Sequence, residues 1–214
     1  MDFLRAFGKY LLTMAVALGL LALFVRIFYV KIVTVGDNSM APTLLAGEEV
    51  VVWKLGDVEV GDVALCEKPV TRGAQEFVIS RVVAQRGNQV GSTSSGSLIV
   101  SGRTWPTVVG ERVRFHDSTH QRDVALWRGE ETLARGTHSV FVNRSVPMSI
   151  RERETVSGFY MLGDNRTSSN DSRTYGSAVP DRCIGRVVMR WSTVDATDIN
   201  DDVHRTHHAW DRIH

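Results

Sequence analysis

The chain has little of what marks a metalloprotein, a redox protein or a nucleic-acid-binding protein. It contains two cysteines among 214 residues, and neither stands in a CxxC pair, so no metal or redox motif built on thiolates is expected. Its 25 basic and 24 acidic residues leave a formal net charge of +1 at pH 7. Such a balance gives no indication of nucleic acid as a partner. We therefore expect no cofactor, no metal and no nucleic acid.

The few cysteines and the histidines near the end of the chain raise two smaller questions. Cys66 and Cys183 lie in apolar contexts, which suit a disulfide in an oxidising compartment and equally suit two buried thiols, because spacing alone does not establish disulfide geometry. Four histidines near the end of the chain could bind a metal if they were clustered. Because they are scattered through a polar sequence, we instead expect residues 195–214 to form a solvated tail. These histidines are His204, His207, His208 and His214.

A single stretch is long and apolar enough to cross a membrane. No charge occurs between Tyr10 and Val25, and the apolar run resumes after Arg26 as far as Val30. As one helix these residues would span about 31 Å, close to the hydrocarbon thickness of a bilayer. A cleavable signal peptide and a buried helix are the alternatives. The run is longer than a signal-peptide core, and KIVTVGDNSM after it lacks a clear cleavage site, so we predict an uncleaved anchor within residues 1–31.

After residue 31 the pattern predicts a mainly β fold. Short valine-rich runs are separated by Gly, Asn, Asp and Pro, and no run has a long helical period. We expect one β domain over residues 32–194. Residues 85–135 are its most polar and least regular part, either a flexible insertion or a small β subdomain, and no site chemistry is expected there. We interpret His116, His120 and His138, in or beside this part, as surface or strand histidines rather than ligands.

The stretch GDNSMAPTL, residues 36–44, places Ser39 in a polar turn just after the anchor. A serine hydroxyl is a weak nucleophile until a neighbouring base removes its proton and nearby donors stabilise the oxyanion that forms. A lone serine in a turn is no evidence of catalysis. Its neighbours Met40 and Pro42, and the anchor that would hold it at the membrane surface, make Ser39 a candidate.

Four blocks, in this order, resemble the signal peptidase I family: SMAPTL at 39–44, GDV at 61–63, RVVAQRGNQV at 81–90 and GDNRTSSNDSRTYGSAVPDRCIGRV at 163–187. The resemblance covers residues 32–192 apart from the irregular middle. Members of this family are membrane-anchored serine endopeptidases that use a Ser/Lys dyad on a β fold to remove leader sequences. The resemblance implies precursor polypeptides with leader sequences as substrates, and a signal-peptidase-type β domain on one transmembrane helix.

Carried over position by position, the resemblance makes Ser39 the acyl-forming nucleophile and Ser169 the hydroxyl that orients the general base. It implies that Arg81 pairs with Asp164 and Asp171 with Arg173. As partly exposed ion pairs these would each contribute about 0 to 1 kcal/mol, so their role would be geometric. The residues expected to support the site are Asn38, Met40, Arg81, Asp164, Asn165, Asp171, Ser172 and Arg173.

Two positions depart from the family pattern. Ser80 occupies the place of the lysine base, and a hydroxyl with a pKa far above neutral cannot accept a proton usefully at pH 7. Asp37 and Asn38 replace the Ser-Gly that often precedes the nucleophile in bacterial members. An ionised Asp37 would repel an oxyanion, although Asn38 or the backbone N–H of Ser39 could still donate to it.

Three interpretations of the missing base remain open. The chain is a serine endopeptidase with an unidentified base, or a catalytically inactive homologue that acts as a structural or regulatory subunit of a membrane peptidase or other complex, or Ser80 is a replacement introduced to trap an inactive enzyme. Lys54 and Lys68 follow strands and are interpreted as surface or strand-end residues rather than substitute bases.

The start of the chain indicates a compartment only weakly. FLRAFGKYLL, one anchor and then VTVGDNSM are similar to the short mitochondrial inner-membrane peptidase subunits. We therefore expect a single-pass protein of the mitochondrial inner membrane that faces the intermembrane space. The alternative is the bacterial plasma membrane, with the domain facing the periplasm. The expected partners are the membrane, leader-bearing precursors and, as a candidate, a second peptidase subunit.

Overall fold

The computed structural model describes residues 2–69, 75–150, 154–194, 203 and 207–213. Within these ranges a long N-terminal helix precedes thirteen strands and one short helix, which confirms the mainly β fold. The helices are α1 (Asp2–Phe28) and α2 (Ser172–Tyr175), and 3-10 turns occupy Asn38–Met40 and Pro180–Arg182. The strands are β1 (Val30–Thr34), β2 (Glu49–Trp53), β3 (Val63–Glu67), β4 (Phe77–Gln85), β5 (Gln89–Ser92), β6 (Leu98–Val100), β7 (Arg103–Trp105), β8 (Thr107–Asp117), β9 (Arg122–Leu133), β10 (Gly136–Val142), β11 (Glu154–Thr155), β12 (Phe159–Leu162) and β13 (Cys183–Ser192).

Helix α1 supplies the predicted anchor. Its segment Phe7–Phe28 has a mean hydropathy of 2.4, and its most apolar part is not buried against the rest of the protein. Arg26 lies in the last turn, where a long basic side chain can reach the membrane interface. The Lys54 ammonium donates to the carbonyl of Ile27 at 2.9 Å and so ties the end of the helix to the end of β2. An exposed apolar helix of this length fits a single-pass membrane protein.

The strands form three antiparallel sheets. The largest has six strands in the order β1-β2-β13-β3-β4-β12, and the others have the orders β10-β9-β8 and β11-β5-β6-β7. In the six-stranded sheet Cys66 on β3 lies opposite Cys183 on β13, and the two sulfurs form a disulfide. The structure thus resolves the choice between a disulfide and two thiols that the sequence left open.

Residues 85–135 are regular rather than a flexible insertion. Strands β5 to β9 all lie within this stretch, and β8 and β9 make a long hairpin with its turn at residues 118–121. Inward-facing residues of the hairpin, such as Phe115 and Leu126, pack with Leu45 and Phe141 in one buried cluster. These strands belong to two different sheets, and the β8–β9 hairpin packs against the segment that follows Ser39.

The residues that follow Ser39 are packed into the hydrophobic core. Met40 and Leu44, which follow Ser39, are buried in one apolar cluster between strands of the six-stranded sheet. The strand positions alternate between this cluster and the opposite face, as the two-residue period of a strand requires. The other buried members of the cluster are Val35, Val50, Val52, Val63, Leu65 and Val187.

In the C-terminal tail the side chain of His207 is packed rather than solvated, so the expectation of a solvated tail is wrong for this residue. Its side chain is 7% exposed, with Nδ1 at 2.7 Å from Glu48 and Nε2 at 2.7 Å from the carbonyl oxygen of Pro42. The physical reason is Glu48, a fully buried carboxylate that needs partners and takes them from His207 and Arg190. His208 is exposed, while His204 and His214 lie outside the described residues.

Candidate active site

Ser39 stands in the middle of the 3-10 turn Asn38–Met40, and an acidic side chain caps that turn. Asp37 precedes it in an extended conformation, and its carboxylate accepts the backbone N–H of Ser39 at 2.8 Å. Asp and Asn are favoured at this position because they satisfy an otherwise free N–H. Here the satisfied N–H is one of the two candidate donors to an oxyanion.

The second candidate donor is also engaged. The side-chain amide of Asn38 donates to Asp117 at 3.1 Å and to the hydroxyl of Ser118 at 3.2 Å, so it points into the fold. Of the two donors that the sequence suggested, neither is free in this arrangement. The hydroxyl of Ser39, in contrast, has no hydrogen-bond partner among the residues that the structure describes.

The loop after β12 clamps the backbone of Ser39. The N–H of Asn165 donates to the carbonyl of Ser39 at 2.9 Å, and its side-chain amide donates to the carbonyl of Asn38 at 3.2 Å. Gly163 approaches so closely that a Cβ there would collide with the Ser39 carbonyl and with the side chain of Ser169. Ser169 is thus beside the Ser39 backbone, and its hydroxyl is buried without a partner within the described ranges.

Arg81 and Asp164 form the predicted ion pair, with Nε to Oδ1 at 2.9 Å and an Nη to Oδ2 at 2.8 Å. The pair is fully buried, at 1% and 0% exposure, so the expected partial exposure is wrong. Burial raises the pKa of the Asp164 carboxyl, but the Arg81 charge and hydrogen bonds outweigh it and hold that pKa below its ordinary value. Arg81 also donates to the carbonyl of Gly61, and Thr43 donates to Asp164, which joins four segments.

Asp171 and Arg173 form the second predicted pair, at 2.7 and 2.8 Å. Asp171 also caps α2 and accepts the N–H of Gly163 at 3.0 Å, and Arg173 donates to the carbonyl of Arg166. The hydroxyl of Ser172 accepts the N–H of Met161 at 2.9 Å. These bonds hold the two ends of the loop of residues 163–173 together and attach the loop to β12.

A third, buried ion pair, which the sequence did not predict, joins this loop to β9. Arg166 donates to both carboxylate oxygens of Glu131, at 2.9 and 2.7 Å, and both side chains are at most 1% exposed. His138 lies next to it, with Nε2 at 3.8 Å from both Glu131 and Asp164. Burial lowers the pKa of His138 to about 4, so this imidazole is neutral at pH 7. Nothing in the sequence spacing connects these three residues.

Ser80, which the resemblance in sequence aligns with the family's lysine, is buried on β4 opposite Ala64 of β3. The Tyr175 phenol lies close to it. Burial raises the pKa of this phenol above its ordinary value and the Asp171 carboxylate raises it further, while the Ser80 hydroxyl partly offsets the shift. Lys54 and Lys68 are engaged elsewhere, with the carbonyl of Ile27 and with Glu76, as expected for strand-end residues.

Ser39 lies between two cavities. The first, of about 170 Å³, has Ser80 in its wall and is otherwise lined mainly by apolar side chains, namely Val33, Val35, Met40, Leu65, Phe77 and Ile79. The second, of about 600 Å³, is lined entirely by polar residues and contains Ser169. A peptide in contact with Ser39 would thus have an apolar pocket on one side of the serine and a polar cleft on the other.

The turn of the β8–β9 hairpin also lines the polar cavity, although no site chemistry was expected in that part of the chain. Asp117 and His120 face it together with Ser39, and Asp117 Oδ2 lies 2.8 Å from His120 Nδ1. The signal that could have revealed them is HDSTH at 116–120, an acid and an imidazole three residues apart in a turn between two strands. Their proximity to Ser39 depends on a contact across about eighty residues, which a local pattern does not predict.

An apolar N-terminal helix, a mainly β domain and a serine clamped between two cavities fit a membrane-anchored relative of β-fold serine peptidases. The family profile described as "Signal peptidase, peptidase S26" matches residues 7–192, so the chain belongs to this family. It is 26% identical over 200 residues to signal peptidase I of Pseudomonas aeruginosa, with 80% of this chain and 68% of the relative covered. With signal peptidase I of Pseudomonas fluorescens it shares 27% over 187 residues, 78% of this chain and 63% of that relative.

Proposed function

We propose that this protein is a membrane-anchored serine endopeptidase of the signal peptidase I type, which removes leader or sorting sequences from precursor polypeptides. Ser39 is its nucleophile. The observation that carries this proposal is the Ser39 hydroxyl, which is unbonded within the described residues and lies where the apolar and polar cavities meet. Family membership supports the same reaction class.

The chemistry requires a peptide that lies across Ser39. The Ser39 oxygen attacks the carbonyl carbon of the scissile bond, the amine departs with a proton, and water then hydrolyses the acyl-enzyme. The apolar cavity of about 170 Å³ has room for a small side chain, which supports cleavage after small residues. Asn165 holds the backbone of the serine, because its N–H donates to the Ser39 carbonyl and its side-chain amide donates to the Asn38 carbonyl.

A second candidate function is a non-catalytic homologue that pairs with an active peptidase as a structural or regulatory subunit. The contact between the Asp37 carboxylate and the Ser39 N–H favours it, because a developing oxyanion would meet a negative charge there rather than a free donor. Ser80, which leaves the family's base position without an amine, favours it too. Such a subunit would bind precursor peptides without cutting them.

The disulfide between Cys66 and Cys183 supports placing the β domain on the oxidising face of its membrane. The two relatives are bacterial, which favours the bacterial plasma membrane with the domain in the periplasm. The mitochondrial inner membrane, facing the intermembrane space, is the other candidate. A second peptidase subunit belongs to the non-catalytic alternative.

The test is cleavage of a leader-bearing precursor by the purified full-length chain in detergent micelles. The natural chain is expected to release the mature product and Ser39→Ala to release none. Ser168→Ala, which removes another hydroxyl from the polar cavity, is the matched control and should retain cleavage. Equal processing by the natural chain and Ser39→Ala would refute the proposal. Binding of the precursor without cleavage would support the non-catalytic candidate.

A further inference from the structure

We propose that His120, held in place by Asp117, is the general base that takes the proton of Ser39 in place of the absent lysine. This inference rests on the proposed peptidase function. It assigns a residue in the β8–β9 turn to the reaction, far in sequence from every block that resembles the family.

The β8–β9 turn, which carries His120, is hydrogen-bonded to Asn38, the residue before Ser39. The backbone N–H of Asn38 donates to the hydroxyl of Thr119 at 3.2 Å, and the Asn38 side chain donates to Asp117 at 3.1 Å. Asn38 immediately precedes Ser39, and Thr119 immediately precedes His120. The segments that carry the serine and the imidazole are therefore in contact, and both residues line the polar cavity of about 600 Å³.

Asp117 fixes the protonation of the imidazole. Burial raises the pKa of the Asp117 carboxyl, but hydrogen bonds from Asn38 and His120 outweigh it, so the net pKa lies below the ordinary value and the group is ionised at pH 7. An ionised carboxylate accepts, so His120 Nδ1, at 2.8 Å, carries the proton. In the neutral ring Nε2 is then the proton acceptor.

The acceptor nitrogen is available to the cavity. The His120 side chain is 53% exposed, and Nε2 makes no hydrogen bond within the described residues. The free site has no direct bond between Nε2 and the Ser39 hydroxyl. The transfer therefore uses a rotation of the half-exposed ring or one bridging water, since such bonds often tighten only when substrate is bound.

In the proposed reaction His120 accepts and returns a proton in each half of the cycle. The Ser39 oxygen forms a bond to the scissile carbonyl carbon while its proton passes to His120 Nε2. The resulting imidazolium gives that proton to the departing amine nitrogen as the peptide bond breaks, which leaves the acyl group on Ser39. Water then transfers a proton to Nε2 as its oxygen bonds to the acyl carbon. The imidazolium returns this proton to the Ser39 oxygen as the acyl–Ser39 bond breaks, which releases the carboxylic acid and restores the free enzyme. Asp117 and Asp37 are the charged groups that line the cavity with His120, and both carboxylates stabilise the imidazolium.

The hairpin offers a matched control for this role. His116 lies four residues earlier, on β8, and its Nδ1 is 2.7 Å from Asp123, so it too is a histidine paired with an aspartate. It does not line either cavity beside Ser39. His116→Gln therefore removes the same chemistry from the same hairpin without changing the polar cavity.

The experiment measures the rate at which a fluorophosphonate probe acylates Ser39 in the full-length chain, from pH 5 to 9, with the modified peptide identified by mass spectrometry. His120→Gln should lower the rate at pH 8 at least about 100-fold, the effect expected of a general base. His116→Gln should leave it within about twofold.

A second variant distinguishes failure of the His120 assignment from failure of the proposed peptidase function. Adding Ser80→Lys to His120→Gln should restore labelling, with a pH profile displaced upward because an ammonium must lose its proton first. If the natural chain and His120→Gln are labelled at the same rate, the role of His120 is overturned and the peptidase proposal still stands. No labelling of the natural chain at any pH, with labelling after Ser80→Lys, would overturn both.

Discussion

The Asp37 carboxylate accepts the backbone N–H of Ser39 at 2.8 Å. This bond stabilises the turn that presents the serine and at the same time occupies a group that an oxyanion would need. The site thus combines the proposed nucleophile with an acidic cap. In the proposed reaction the Ser39 N–H can donate to an oxyanion only after this bond opens, so the chain should be slow compared with a relative that has a neutral residue there.

Replacing the cap should raise the reactivity of Ser39. In Asp37→Ala the N–H becomes available and the negative charge is gone, and since one oxyanion donor contributes about 100-fold or more, we expect acylation by a serine-directed probe to be at least about 10 times faster. The control is Asp37→Asn, whose side-chain oxygen still accepts the N–H; it should give a smaller increase. Unchanged rates in Asp37→Ala would show that the cap does not limit the reaction.

Restoring an amine at the family's base position should also activate the chain. Ser80→Lys places an ammonium in a buried position, where desolvation lowers its pKa toward neutral, and the acylation rate at pH 9 should rise about 100-fold. Ser80→Met, of similar length and without a titratable group, should give no increase. A rise in both variants would mean that filling the space beside Tyr175, and not the amine, is responsible.

The buried pair of Arg81 and Asp164 should be essential for stability. In Asp164→Asn the Arg81 guanidinium stays buried while the carboxylate that pairs with it becomes a neutral amide, and the free energy of unfolding should fall by about 3 to 5 kcal/mol, measured by urea denaturation. The exposed pair of Lys68 and Glu76 provides the comparison, since Glu76→Gln should cost less than about 1 kcal/mol. Similar losses in both variants would contradict the difference in burial.

His138 should make stability depend on pH between about 4 and 6.5. Its pKa in the folded chain is about 4, whereas an unfolded histidine titrates near 6.5, so the unfolded state binds the proton first as pH falls. Stability due to this group is full above pH 6.5 and decreases toward pH 4, by about 3 kcal/mol. His138→Gln should flatten this part of the curve, and His116→Gln should not. A slope that persists in His138→Gln would assign it to other groups.

The sequence predicted what depends on local pattern. The apolar run of α1, the valine-rich strands and the family blocks follow from periodicity and order along the chain, and the pairs Arg81–Asp164 and Asp171–Arg173 followed from the resemblance. What it missed depends on contacts between distant segments. The docking of the 118–121 turn on Asn38 and the burial of His207 against Glu48 arise only when strands far apart in sequence are brought together.

The central claim is that Ser39 is a working nucleophile, and the most direct measurement is the mass of the full-length natural chain after exposure to a fluorophosphonate at pH 8. The account predicts one adduct, located on the peptide that contains Ser39, which is lost in Ser39→Ala and retained in Ser168→Ala. An unmodified natural chain under conditions that label Ser80→Lys would contradict it, because the same fold and serine would then be reactive only when the missing amine is supplied.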